Sequence, residues 1–246
     1  MKIDRLWDGL ERMPNGDYVL QGHLVSDDNI EICLNDRLIV RGTVISKKAI
    51  SVNKTLVAEC DIRADWGIKA GMGLEAAFDI KAGDDIEAGT SIKAGRSIKA
   101  GWGIYAGHDV QADCDIKAGL GIRVGWNILS GRGIEAGWGI EAGGAIEAND
   151  DIVSGRYIKS GDDIRAGWGI EAATYIEADK RLFSGIAVHS VNEDCNKSIT
   201  CAELRKGDIW FGDLIITKVA EPEETVMTVT EIEAKLGIKN LKIKEN

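Results

Sequence analysis

Residues 79–102 read Asp79-Ile80-Lys81-Ala82-Gly83-Asp84, then DIEAGT, SIKAGR and SIKAGW, four versions of one six-residue phrase. Counted from its aliphatic residue, the unit is Ile-x-Ala-Gly-x-x. A helix would place apolar residues three and four apart. Here an inward Ile, an outward charge and an inward Ala alternate, which describes a three-residue strand. The Gly then turns a corner. So short a strand cannot bury its own face, and successive units must stack in coils, each covering the one before.

Working outward, every sixth residue from Ile32 to Val188 is Ile, Leu or Val, which makes 27 positions. From Ala58 to Ser184 the residue two further on is always Ala or Ser, apart from Val124. Three units to a coil give an 18-residue triangular turn, about nine coils and a rod about 40 Å long. One internal column is then Ile68, Ile86, Ile104, Ile122, Ile140, Ile158 and Ile176. A second begins Leu74, Ile92, Val110, Ile128, and the third begins Ile62, Ile80, Ile98, Ile116. A one-residue slip would turn every following side chain over, so strict length is itself a structural requirement. The fold class expected is all-β, a single-stranded triangular parallel β-helix over residues 32–188 with a cap at each end.

The fragments Asp85-Ile86-Glu87-Ala88 and Asp115-Ile116-Lys117-Ala118 are similar to the rungs of bactofilins, which implies a right-handed solenoid. Hexapeptide acyltransferases also have six-residue rungs, but their small residue precedes the aliphatic one by two, whereas here Ala follows it.

Residues 1–31 are expected to form the N-terminal cap, with Trp7, a Pro14-Asn15-Gly16 turn and an alternating strand from Tyr18 to Val25. Residues 189–246 are expected to form the C-terminal cap. Ile209-Trp210-Phe211 and Leu214-Ile215-Ile216 suggest strands there. Thr228 with Glu231, or Thr230 with Glu233, opens a short helix that Gly237 ends, and Ile238 to Ile243 alternates as a final strand.

A net charge of -10 disfavours nucleic acid and anionic membrane and favours a basic protein partner. No basic-apolar leader opens the chain and no run of eighteen apolar residues occurs, so a cytoplasmic location is expected. The five cysteines show no CxxC spacing, and no metal or cofactor is expected. His108 falls at a corner, where an acyltransferase keeps its base, but no loop is present to complete such a site; His23 and His189 flank the regular region. No catalytic residue is expected.

The surface columns say more. On one face the outward residues run Arg63, Lys81, Lys99, Lys117, then Glu135, Val153, Glu171. One corner column reads Trp66, Asp84, Trp102, Leu120, Trp138, Arg156, placing tryptophans at alternate coils. Exposed aromatics at that spacing are candidate binding anchors, and packing over the corner glycines is the competing reading. Leu56 to Val188 carries 21 acidic against 14 basic side chains.

In repeat and charge the chain resembles solenoid immunity proteins of contact-dependent growth inhibition systems. The resemblance implies a non-enzymatic antitoxin that blocks the basic cleft of a nuclease toxin. The partner-binding residues expected are Trp102, Trp138, Glu135, Glu141, Glu147 and Glu171. A bactofilin-like scaffold forming filaments and a hexapeptide-repeat acyltransferase are the alternatives, and the sequence leaves the oligomeric state open.

Overall fold

The computed structural model describes residues 1–186 and 197–217. It is a three-sided parallel β-solenoid, with three-residue strands along the sides and corners between them. Face one stacks Ile68, Ile86, Ile104, Ile122 and Ile140 in register. Face two stacks Leu56, Leu74, Ile92, Val110 and Ile128. Face three stacks Ile62, Ile80, Ile98, Ile116 and Ile134. These are the three columns expected from the hexad, and their aliphatic side chains are essentially inaccessible to solvent. Burying each is worth about 1.5–3 kcal/mol, which is what holds strands too short to persist alone.

Backbone bonding continues around the corners. Ile86 N–H donates to the Gly103 carbonyl at 2.9 Å, Gly101 N–H to Ala82 at 3.1 Å and Trp102 N–H to Asp84 at 3.2 Å. The fourth position of the unit is the tightest. A Cβ built on Gly101 would overlap the Gly83 carbonyl oxygen, so the glycine's own Cα–H points at that oxygen instead.

The solenoid begins earlier than the hexad implies. Strands β1 (Lys2–Asp4), β2 (Leu10–Arg12), β3 (Tyr18–Leu20), β4 (Leu24–Ser26) and β5 (Ile30–Cys33) open the chain. Of these β3, β4 and β5 are already rungs of a coil, with Tyr18, Leu24 and Ile30 facing Leu38, Val44 and Ile50. That spacing is twenty residues, against eighteen from Leu38 to Leu56 onward. Ile32 therefore pairs with Val52 and occupies the small-residue position, not the head of the unit as the hexad count had it. The N-terminal covering is shorter than residues 1–31: β1 lies parallel on β5, and β2 lies antiparallel on β3.

At the other end the segment expected to be a separate cap returns to the solenoid. Ile199 stacks on Ile170, Leu204 on Ile176 and Ile209 on Leu182, within strands Ser198–Cys201 and Glu203–Phe211. The strand Asp213–Ile216 then stacks on Ser198–Cys201. Leu204, Ile209 and Leu214 are five apart rather than six, because Gly207 and Gly212, with φ of 124° and 119°, turn the corners in one residue fewer. These additions bring face three to eleven strands, against about nine coils expected. Val188, His189, Cys195 and the helix and strand expected over 228–243 lie outside the described residues.

Replacing Gly101 with Ala is expected to lower stability by about 1–3 kcal/mol. Gly121→Ala is the control, since a Cβ there comes no closer than 3.4 Å to any atom, and its change should stay within about 0.5 kcal/mol. Urea denaturation of both variants checks the pair.

Candidate binding surface

The register of face three fixes what stands at the corner between faces three and one. Trp66, Asp84, Trp102, Leu120, Trp138 and Arg156 stack there, tied by N–H to carbonyl bonds such as Leu120 to Trp102 and Trp138 to Leu120, both 2.8 Å. One strand spacing per step puts the tryptophans about 10 Å apart. Trp66, Trp102 and Trp138 are 52%, 55% and 53% exposed. Each indole thus packs on the rod with part of its surface and offers the rest to solvent. Trp126 and Trp168 occupy the other two corners, Trp126 stacked on His108 with centroids 5.4 Å apart.

The four glutamates expected beside Trp102 and Trp138 are divided among all three faces. Glu141 is on face one, bonded to Arg123 at 3.1 Å. Glu147 is on face two, bonded to Arg165 at 2.7 Å. Glu135 and Glu171 are on face three, two coils apart, with Glu135 bonded to Lys117 at 2.7 Å. Trp102, Trp138, Glu135 and Glu141 therefore flank one corner; Glu147 points elsewhere and is removed from any common site.

Face one is nearly balanced in charge, with Lys69–Glu87, Arg123–Glu141 and Lys159–Glu177 as cross-coil pairs at 2.6, 3.1 and 3.4 Å. Exposed pairs of this kind add about 0–1 kcal/mol each. Glu141 above all, helped by the Tyr157 hydroxyl, holds Arg123 more firmly protonated than usual. A groove of about 780 Å³ runs along this face over Gly71, Gly89 and Gly107, edged by Lys69, Glu87, Tyr105 and Arg123. Face three instead sets Arg63, Lys81, Lys99 and Lys117 directly opposite one another, an arrangement that like charges disfavour. Asp61 bonds Arg63 at 2.9 Å at one end of that run, and Glu135 takes Lys117 at the other.

Many of the aspartates are tied to the backbone. In the position just before the aliphatic residue, Asp61 accepts the N–H of Asp79 at 2.9 Å and Asp79 accepts that of Ser97 at 3.1 Å. Asp85 serves Gly103, Asp109 serves Asn127 and Asp151 serves Gly169 in the same way. Each carboxylate satisfies a corner amide of the next coil. The sequence carried the signal in the recurrence of Asp, Asn, Ser or Gly at that position.

Asp163 is the extreme case. Its side chain is 4% exposed and accepts bonds from the backbone and guanidinium of Arg181 and from Arg165. Arg181, before all other groups, holds its pKa below the usual carboxylate value.

Comparison of the chain with protein-family models, curated proteins and solved structures finds no match.

Because its folded-state pKa is depressed, the Asp163 carboxylate contributes stability above its unfolded pKa of about 3.9, and that contribution is lost as pH falls through the lower folded value. Asp163→Asn should cost about 2–3 kcal/mol near neutrality and flatten the acid limb of the stability curve. Denaturant unfolding of both proteins from pH 7 down to about pH 3 measures both effects.

Proposed function

We propose that this chain is a non-enzymatic binding solenoid that holds a basic protein partner along the tryptophan corner and the groove of face one. The observation that carries the reading is the row of Trp66, Trp102 and Trp138, each half-exposed, in a chain of net charge -10. Large aromatic surface left in water is a feature of contact sites, and tryptophan is the residue most often found to anchor them. The anchors are also preorganised: the corner backbone is bonded coil to coil, so little ordering entropy remains to be lost on binding. Net negative charge favours a basic partner and speeds its approach. An immunity protein that fills the basic substrate cleft of a nuclease toxin is the form of this function we favour.

Filament formation is a weaker reading. At the N-terminal end β1 and β2 occupy the outer edges of β5 and β3, two of the three edges through which another rod would dock. Capped edges favour a finite rod.

Immobilised chain incubated with extract of the cell that makes it should retain a basic protein at low salt and release it at high salt. The triple variant Trp66→Ala, Trp102→Ala, Trp138→Ala should bind that protein about tenfold more weakly or worse while still folding into the solenoid, with a cooperative melting transition and an unchanged far-UV circular dichroism spectrum. A retained nuclease should also lose activity when wild-type chain is added. Retention that ignores both salt and the tryptophans would overturn the reading.

A further inference from the structure

Beside the tryptophan corner, the position just before the aliphatic residue of face one carries Gly103, Gly121, Gly139, Tyr157 and Tyr175 in successive coils. The two tyrosines stack, with centroids 5.2 Å apart and planes 7° from parallel, and the Arg205 guanidinium lies 3.7 Å over Tyr175. On the other side the Tyr157 ring leans across Gly139, where any Cβ would collide with it. From the opposite direction Tyr105 folds back so that the hydroxyl end of its ring covers Gly103. Gly121, between them, is bare. It floors a pocket of about 200 Å³ with Tyr105 and Tyr157 at its two ends.

We infer that this pocket receives one aromatic ring, a Tyr, Phe or Trp side chain of the protein partner. The inference rests on the proposed docking of that partner along the same corner. A column of stacked rings stops at Tyr157, whose ring lies over Gly139 and lines the opening beyond it, and a further ring placed in that opening extends the aromatic surface with the offset contact that aromatic pairs prefer. Two guanidiniums border the opening, Arg123 and Arg156, the latter 4.9 Å over the Trp138 ring. Both suit the electron-rich face of an incoming ring. Leu120 and Trp138 give it apolar wall. A lysine or arginine side chain fits less well, even from a basic partner: the one carboxylate at the pocket, Glu141, is already bonded to Arg123, which leaves a net positive lining. An aromatic anchor in a pocket rimmed by charged pairs is the usual build of an interface hot spot.

The probe is N-acetyltyrosinamide, mixed with the purified full chain and followed by saturation-transfer NMR. Its ring protons should receive saturation from the protein, and the transfer should fall at least tenfold in Gly121→Leu. Its Cβ meets nothing nearer than 3.4 Å and its remaining atoms extend into the pocket, and an unchanged far-UV circular dichroism spectrum checks that the coil is kept. Tyr157→Ala, which removes one end wall, should give the same loss. Transfer that persists in Gly121→Leu overturns the inference, as does preferential transfer to N-acetylargininamide or to a methyl glucoside, or transfer to none of the three. Partner retention is scored separately. If it depends on the tryptophans but is unchanged in Gly121→Leu, the docking corner stands and the ring pocket does not.

Discussion

The constraint on which the rest depends is the hydrogen-bonded register that ties each residue to the one eighteen positions further on. Strands of three residues have no independent stability, so the structure exists only as far as neighbouring coils agree in length. Once they do, any residue type repeated in one position becomes a column running down the rod. Isoleucines become a continuous core, glycines become points where one coil's carbonyl meets the next coil's Cα, and aspartates become caps on corner amides. The tryptophan row is a product of the same arithmetic. No loop needs to be folded to bring Trp66, Trp102 and Trp138 together, because the ladder does it.

The parts of the molecule that the sequence made legible are those governed by that arithmetic alone. The three internal columns and the tryptophan corner follow from counting in sixes and eighteens. The start was misplaced for a definite reason: the coil from Tyr18 to Arg37 holds two extra residues, and Ile32, being aliphatic, happened to keep the count of six while sitting in another position. The closing coil was hidden by its corners. Gly207 and Gly212 shorten the unit to five, so Leu204, Ile209 and Leu214 fall out of the count although they remain in the stack. The ring pocket was invisible for a third reason: Tyr105 and Tyr157 reach it from different positions of the unit, each crossing a glycine whose recurrence does not reveal what lies over it.

Charge was the least legible property, because a carboxylate in the sequence does not reveal what it faces. Asp61, Asp79, Asp85, Asp109 and Asp151 are fixed by backbone amides, and Asp163 is enclosed by two arginines. A substantial part of the acidity of this chain is therefore a requirement of the corners. It still sets the long-range field, but on the proposed function the side chains left to answer a partner at short range are the outward ones beside the tryptophan corner, mixed in sign on face one and mostly basic along Arg63 to Lys117 on face three.

The alternation of tryptophans has a consequence for how such a rod can change over generations. A single coil, eighteen residues, is the smallest piece whose duplication or loss leaves the interior continuous. The indoles, however, recur at thirty-six. Gain or loss of two coils preserves both rhythms, whereas one coil leaves the interior sound and puts the aromatic ridge out of step with the partner proposed for it. Lineages that keep the ridge in use are thus expected to differ in length by even numbers of turns.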